Sequence, residues 1–141
     1  MKYFIISFIT LMFTFNAFTK EIVIEMLNKR DDGEKMVYSQ DIAKIDVGDS
    51  IKWVPTAKGH NVEFLAAPEG ADLPGKSGLN KEVVVVFDKP GVYLYVCTPH
   101  KVMGMIGLVV VGGDTSNKDA VANTKMIGRG KKKMASFLEQ I

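Results

Sequence analysis

Val92-Tyr93-Leu94-Tyr95-Val96-Cys97-Thr98-Pro99-His100-Lys101-Val102-Met103-Gly104-Met105-Ile106-Gly107-Leu108-Val109-Val110-Val111 reads as two apolar strands joined by a loop. Both flanks are rich in β-branched and aromatic residues, which suit a buried pleated surface. The loop between them holds the only cysteine of the chain, one of its two histidines and two methionines. Thiolate, imidazole and thioether together are the donors that soft copper chemistry selects.

By itself, a cysteine closing a hydrophobic strand reads as a small core residue. A histidine three residues on, at His100, and a methionine five beyond it, at Met105, give it a second reading. A loop bridging two strands can turn all three side chains towards one point, with Pro99 stiffening it and Gly104 letting it bend. The other histidine, His60, stands in Gly59-His60-Asn61, where a loop enters a strand. It reads either as an exposed histidine or as a remote fourth ligand that ties the earlier part of the fold to the loop. Zinc rarely takes a thioether, whereas two imidazoles, a thiolate and a long axial methionine make a trigonal electron-transfer copper site. Met105 therefore argues for copper, and Met103 is expected at the surface.

The composition is that of an ordinary globular chain: 141 residues, 47% hydrophobic and 24% charged, enough for one domain with a real core. Met1-Lys2-Tyr3, an apolar run to Phe15, and Asn16-Ala17-Phe18-Thr19 have the pattern of a secretory signal peptide. Cleavage after Ala17 or after Thr19 both fit, and the mature domain is expected over residues 20–141. The apolar run is short for a membrane span, and no stable membrane insertion is expected. The formal charge is +2, and losing Lys2 makes it +1. A nearly neutral chain gives no electrostatic case for binding nucleic acid. A lone cysteine in an exported chain has no partner for an internal disulfide, and metal binding is one role for it.

Upstream, Glu21-Ile22-Val23-Ile24-Glu25-Met26-Leu27 alternates like a half-buried strand. Met36-Val37-Tyr38, Ile42-Ala43-Lys44-Ile45-Asp46-Val47 and Ser50-Ile51-Lys52-Trp53-Val54 follow, so three or four strands precede His60. A loop-like stretch with a short Asn61-Val62-Glu63-Phe64 strand leads to Glu82-Val83-Val84-Val85-Val86-Phe87. The Asp88-Lys89-Pro90-Gly91 turn then feeds the strand that ends at Cys97. The tail, about residues 115–141, changes character. Ser116-Asn117-Lys118-Asp119 offers a helix cap, and residues 131–141 have few β-branched side chains. The expectation is an all-β Greek-key sandwich of two sheets with two short C-terminal α-helices.

The chain resembles the pseudoazurin family, small periplasmic blue-copper proteins of the cupredoxin group. The resemblance runs through Met26-Leu27-Asn28-Lys29, Gly59-His60-Asn61-Val62-Glu63, Pro68-Glu69-Gly70-Ala71, Pro90-Gly91 with Tyr93, and Cys97-Thr98-Pro99-His100 to Gly104-Met105-Ile106, and includes the helical tail. It implies about eight strands, one copper ion on His60, Cys97, His100 and Met105, and a monomeric one-electron carrier rather than an enzyme. It also implies a periplasmic acceptor, typically nitrite reductase in denitrification, and a cytochrome as donor. Asn61 would brace the ligand loop through Thr98, or else serve only as a strand-entry turn residue. His100 would reach the surface through an apolar rim of Met36, Pro55, Pro99, Val102 and Met103. Lys29, Lys58, Lys76 and Lys101 would steer an acidic partner, or be ordinary solvated lysines. Lys101 stands where related sequences often carry an aromatic.

Two other functions compete. A copper storage or delivery protein would favour exposed methionine-rich or paired-cysteine sites, which one cysteine and two distant histidines do not make. A cysteine hydrolase would need a histidine better placed than one three residues away on a tight loop, and an oxyanion-hole segment.

Overall fold

The computed structural model describes residues 19–141, so the signal-peptide reading of the first 18 residues lies outside the described residues. Eight strands and two α-helices follow in order: β1 Glu21–Lys29, β2 Lys35–Tyr38, β3 Ile42–Ile45, β4 Ser50–Val54, β5 Glu63–Ala66, β6 Val83–Val86, β7 Gly91–Val96, β8 Ile106–Val111, α1 Lys118–Ala122 and α2 Gly128–Leu138. Four strands precede His60, and a 3₁₀ turn, Thr98–Met103, joins β7 to β8. The strands form two four-stranded sheets, ordered β2-β1-β4-β6 and β3-β8-β7-β5. Two of the pairings, β1 with β4 and β3 with β8, are parallel. This is the expected all-β sandwich with C-terminal helices.

Alternation in the sequence sets the first sheet. Ile24 and Met26 of β1 point inward with Ile51 and Trp53 of β4, while Glu21, Val23 and Glu25 face water. Register then stacks Ile24 beside Trp53 and Val23 beside Lys52. Trp53 lies at the centre of the inter-sheet core, edge-on to Phe64 at 5.7 Å and Tyr95 at 5.1 Å between ring centroids. Such edge-to-face pairs add about 0.5–1.5 kcal/mol each to the burial itself.

In the second sheet the two central strands, β7 and β8, are buried on both faces. Tyr93 and Tyr95 of β7, Val109 and Val111 of β8, and the adjoining Cys97 and Met105 fill the inter-sheet core. The alternate residues Val92, Leu94, Val96, Ile106 and Leu108 turn the other way and meet Val121, Met126, Met134, Phe137 and Leu138 of the tail. The tail exists to cover this face, since each fully buried aliphatic side chain contributes about 1.5–3 kcal/mol.

One local expectation is corrected. Asn117 precedes α1 as expected but makes no side-chain capping bond there. Its Oδ1 accepts the Val92 N–H at 2.8 Å and its Nδ2 donates to the Val92 carbonyl at 2.8 Å. β5 pairs with β7 only from Leu94 to Val96, which leaves the backbone of Val92 without a neighbouring strand on that side. The Asn117 amide fills that gap because it carries both a donor and an acceptor.

Candidate metal centre

β4, β7 and β8 bring their loops together at one end of the sandwich. His60 lies in the loop after β4, Cys97 directly follows β7, His100 sits in the 3₁₀ turn and Met105 directly precedes β8. Pro99 occupies the first turn of the 3₁₀ segment, where its fixed φ suits a start. Gly104 ends it at φ 96°, a left-handed conformation that costs glycine nothing. The His100 N–H then donates to the Cys97 carbonyl at 3.0 Å, the Met105 N–H to the His100 carbonyl at 3.2 Å, and the Cys97 N–H to the Met105 carbonyl at 2.9 Å. The loop closes on itself through the three residues singled out in the sequence.

The donor atoms converge. His60 Nδ1 stands 3.2 Å from His100 Nδ1, and Cys97 Sγ lies 3.7 Å from the first and 3.4 Å from the second. A triangle of those sides has its centre about 2 Å from each corner, the reach of a metal–nitrogen bond. His60, Cys97 and His100 are the group the fold assembles, all donors within 4.8 Å of one another. His60 and Cys97 are fully buried and His100 is half-buried. Met105 is fully buried in the same core cluster as Cys97, whereas Met103 is half-exposed, as expected.

Neighbours fix the chemistry of these atoms. Asn28 Oδ1 accepts the His60 Nε2–H at 2.8 Å, which leaves the Nδ1 lone pair aimed at the cysteine sulfur. Burial lowers the pKa of both imidazoles, and the nearby His100 lowers that of His60 further. Both shifts favour the neutral imidazole, the form in which a ring nitrogen can donate its lone pair. Burial raises the Cys97 thiol, and the backbone N–H groups of Asn61 and His100 pull it partly back. A cation must displace the thiol proton, so binding tightens as pH rises. Two neutral imidazoles and one thiol that ionises on binding fit a soft cation of charge one or two, which is what copper requires.

Asn61 braces the loop, and the alternative of a mere turn residue falls away. It is 3% exposed; its Oδ1 accepts the Thr98 N–H at 2.8 Å and its Nδ2 donates to Thr98 Oγ1 at 3.0 Å. Two residues of the site escaped sequence reasoning. Asn28 orients His60 from 32 residues away, and Glu63 accepts the Thr98 hydroxyl through Oε2 at 2.8 Å. Both stand in stretches quoted for the family resemblance, yet no local pattern marks either as a neighbour of the site.

The pattern of the copper binding proteins of the plastocyanin/azurin family matches residues 24–112. The chain belongs to that family, which binds copper, and its donor set suits one copper ion. Over nearly its whole length it is similar to pseudoazurins. It is 41% identical over 130 residues to that of Methylorubrum extorquens, covering 91% of this chain and 86% of that one. With the pseudoazurin of Paracoccus pantotrophus it shares 39% identity, over 84% of this chain and 81% of the other. The crystal structure of native pseudoazurin from Hyphomicrobium denitrificans superposes with a TM-score of 0.79 at 40% identity, covering 86% of this chain and 98% of that one. These likenesses place it among the pseudoazurins of the family.

Proposed function

We propose that this chain is a periplasmic blue-copper electron carrier whose metal is held by His60, Cys97, His100 and Met105. The observation that carries the reading is the convergence of His60, Cys97 and His100 within 4.8 Å at the loop end of the sandwich. Bound copper would supply a one-electron couple between its two oxidation states. The chain's own part is to hold the donors still. Cys97 would hold the metal through its thiolate, His60 and His100 through their Nδ1 nitrogens, and Met105 through its thioether sulfur. A site braced by Asn28, Asn61 and Thr98 moves little between charge states, and little movement keeps electron transfer fast.

His100 is the exit. It is the one half-buried member of the three, and exposed Pro99, Val102 and Met103 lie in the same turn. Lys29, Lys58 and Lys76 are exposed and Lys101 is half-buried, a set suited to steering an acidic partner. The acceptor we propose is a periplasmic reductase such as nitrite reductase, and the donor a cytochrome. Residues 1–19 act as the export signal, and residues 20–141 form one monomeric domain without catalysis of its own. Among the described residues no helix is long and apolar enough to cross a membrane.

Adding Cu(II) to the metal-free protein should give an intense blue colour that Cys97→Ser abolishes. A colourless adduct would overturn the carrier reading and favour copper storage. Electron transfer to nitrite reductase should slow as salt rises, because exposed charges are screened; salt-independent rates would remove the lysines from the docking surface.

A further inference from the structure

The turn that carries His100 is anchored by side chains only at its start. None of its six residues, Thr98–Met103, is buried. Its first residue is held by Asn61 and Glu63, as described; Lys101, Val102 and Gly104 lie further along the chain. The backbone there meets α2 instead. A methyl group on Gly130 would collide with the Lys101 carbonyl oxygen, and one on Gly128 would lie 2.7 Å from the Val102 carbonyl oxygen. On the other side, Gly104 packs against Lys133 and Arg129, whose Cδ and Cβ would lie 3.1 and 3.4 Å from a methyl placed on it. Helix and turn thus meet backbone to backbone at Gly128 and Gly130, while Gly104 lies under the Lys133 and Arg129 side chains.

Gly130 is the third residue of α2, where glycine brings the helix nothing that alanine would not, so α2 alone does not explain it. The close approach explains it. The helix is in turn tied to the first sheet's side of the molecule. Arg129 Nη2 pairs with Glu34 Oε2 at 3.3 Å, and Lys133 Nζ lies 3.6 Å from Asp41 Oδ1 and 4.0 Å from Glu34 Oε2. Asp41 is held from its other side by Arg30, with bonds of 3.0 and 3.1 Å. The family pattern ends at residue 112, before any of these tail residues.

We propose that α2 is a brace for the metal-binding turn. Gly130 seats it on the Lys101 carbonyl, Lys133 closes it over Gly104, and the Glu34, Asp41 and Arg30 charges lock it, so that the tail positions His100. These are positioning residues; none touches the metal. The inference rests on His100 being a ligand, but the brace itself is testable without metal.

The experiment is amide hydrogen exchange on the metal-free full chain, reading Gly104 and Met105 against Leu94 and Val96 of β7. The N–H groups of Gly104 and Met105 donate to the Lys101 and His100 carbonyls and so report the turn directly. Gly130→Ala should speed exchange at both about tenfold while β7 is unchanged, and Lys133→Ala should speed Gly104 about threefold. A role in helix stability alone predicts the opposite sign for Gly130→Ala, because alanine favours the helix. Val121→Ala, in α1, should lower the melting temperature and leave the ratio of turn to β7 exchange as it was. In the copper-loaded protein Gly130→Ala should also shift the visible absorption and the reduction potential. Unchanged turn exchange in Lys133→Ala, or an equal effect from Val121→Ala, overturns the brace, and both readings stand even if Gly130→Ala fails to fold. Loss of colour in the wild-type protein would overturn the copper reading and leave the exchange result standing.

Discussion

The two sheets are built from similar residues but live in different surroundings. β1 and β4 present every second side chain to water, and Val23 on that outer face is 53% exposed. β7 and β8 are buried at every position. The difference lies outside the strands themselves: among the described residues, the tail packs on the outer face of β7 and β8 and not on that of β1 and β4. Strands sealed on both faces are the stiffer support, and β7 and β8 are the strands from which Cys97, His100 and Met105 are hung. The remote members come from elsewhere: Asn28 from the end of β1 in the first sheet, and His60 from the loop that crosses from β4 to β5 of the second.

The contrast can be broken by mutation, beginning with the sealed face. Leu94→Ala, on the side of β7 that meets the tail, should destabilise by about 2–5 kcal/mol in denaturant unfolding. A loss near that of a surface change would mean that the tail is only loosely seated. A second measurement addresses how the first sheet is pinned at its far end. Asp49, ahead of β4, accepts the Lys20 N–H at 2.7 Å and the Asp46 N–H at 3.0 Å. Those bonds lower its pKa, so its contribution is complete above the ordinary carboxylate range and is lost as pH falls through the depressed folded value. Asp49→Asn should flatten stability against pH below about 4, as followed by thermal melts between acid and neutral pH. The smallest effect belongs to the bare face. Val23→Thr should change stability by less than about 0.5 kcal/mol, and a larger loss would reveal a cover on that sheet.

Strand alternation made β1 and β4 legible, because one wet face imposes a period of two. The continuous runs of β7 and β8 were legible as strands from their β-branched content and flanking turns, although nothing in them says what covers the second face. The site was legible to an unusual degree because three of its four proposed ligands fall within nine residues. Asn61 was open to two readings, and only its 37-residue reach to Thr98 decides between them. Asn117 has the composition of a helix cap, but the unpaired backbone of Val92 claims its side chain.

The order of soft donors around Cys97, the spacing of apolar residues and the turn residues between them determined a copper-suited loop on a β-sandwich. Those are local properties, set by side-chain chemistry and backbone preference along a few residues. Tertiary structure alone decided that His60 is held by Asn28, that Gly130 lies against Lys101, and that a triangle of donors closes to metal-binding size. Each of these joins segments far apart in sequence, and such contacts depend on the final packing of both sheets and the tail rather than on any pattern within one stretch.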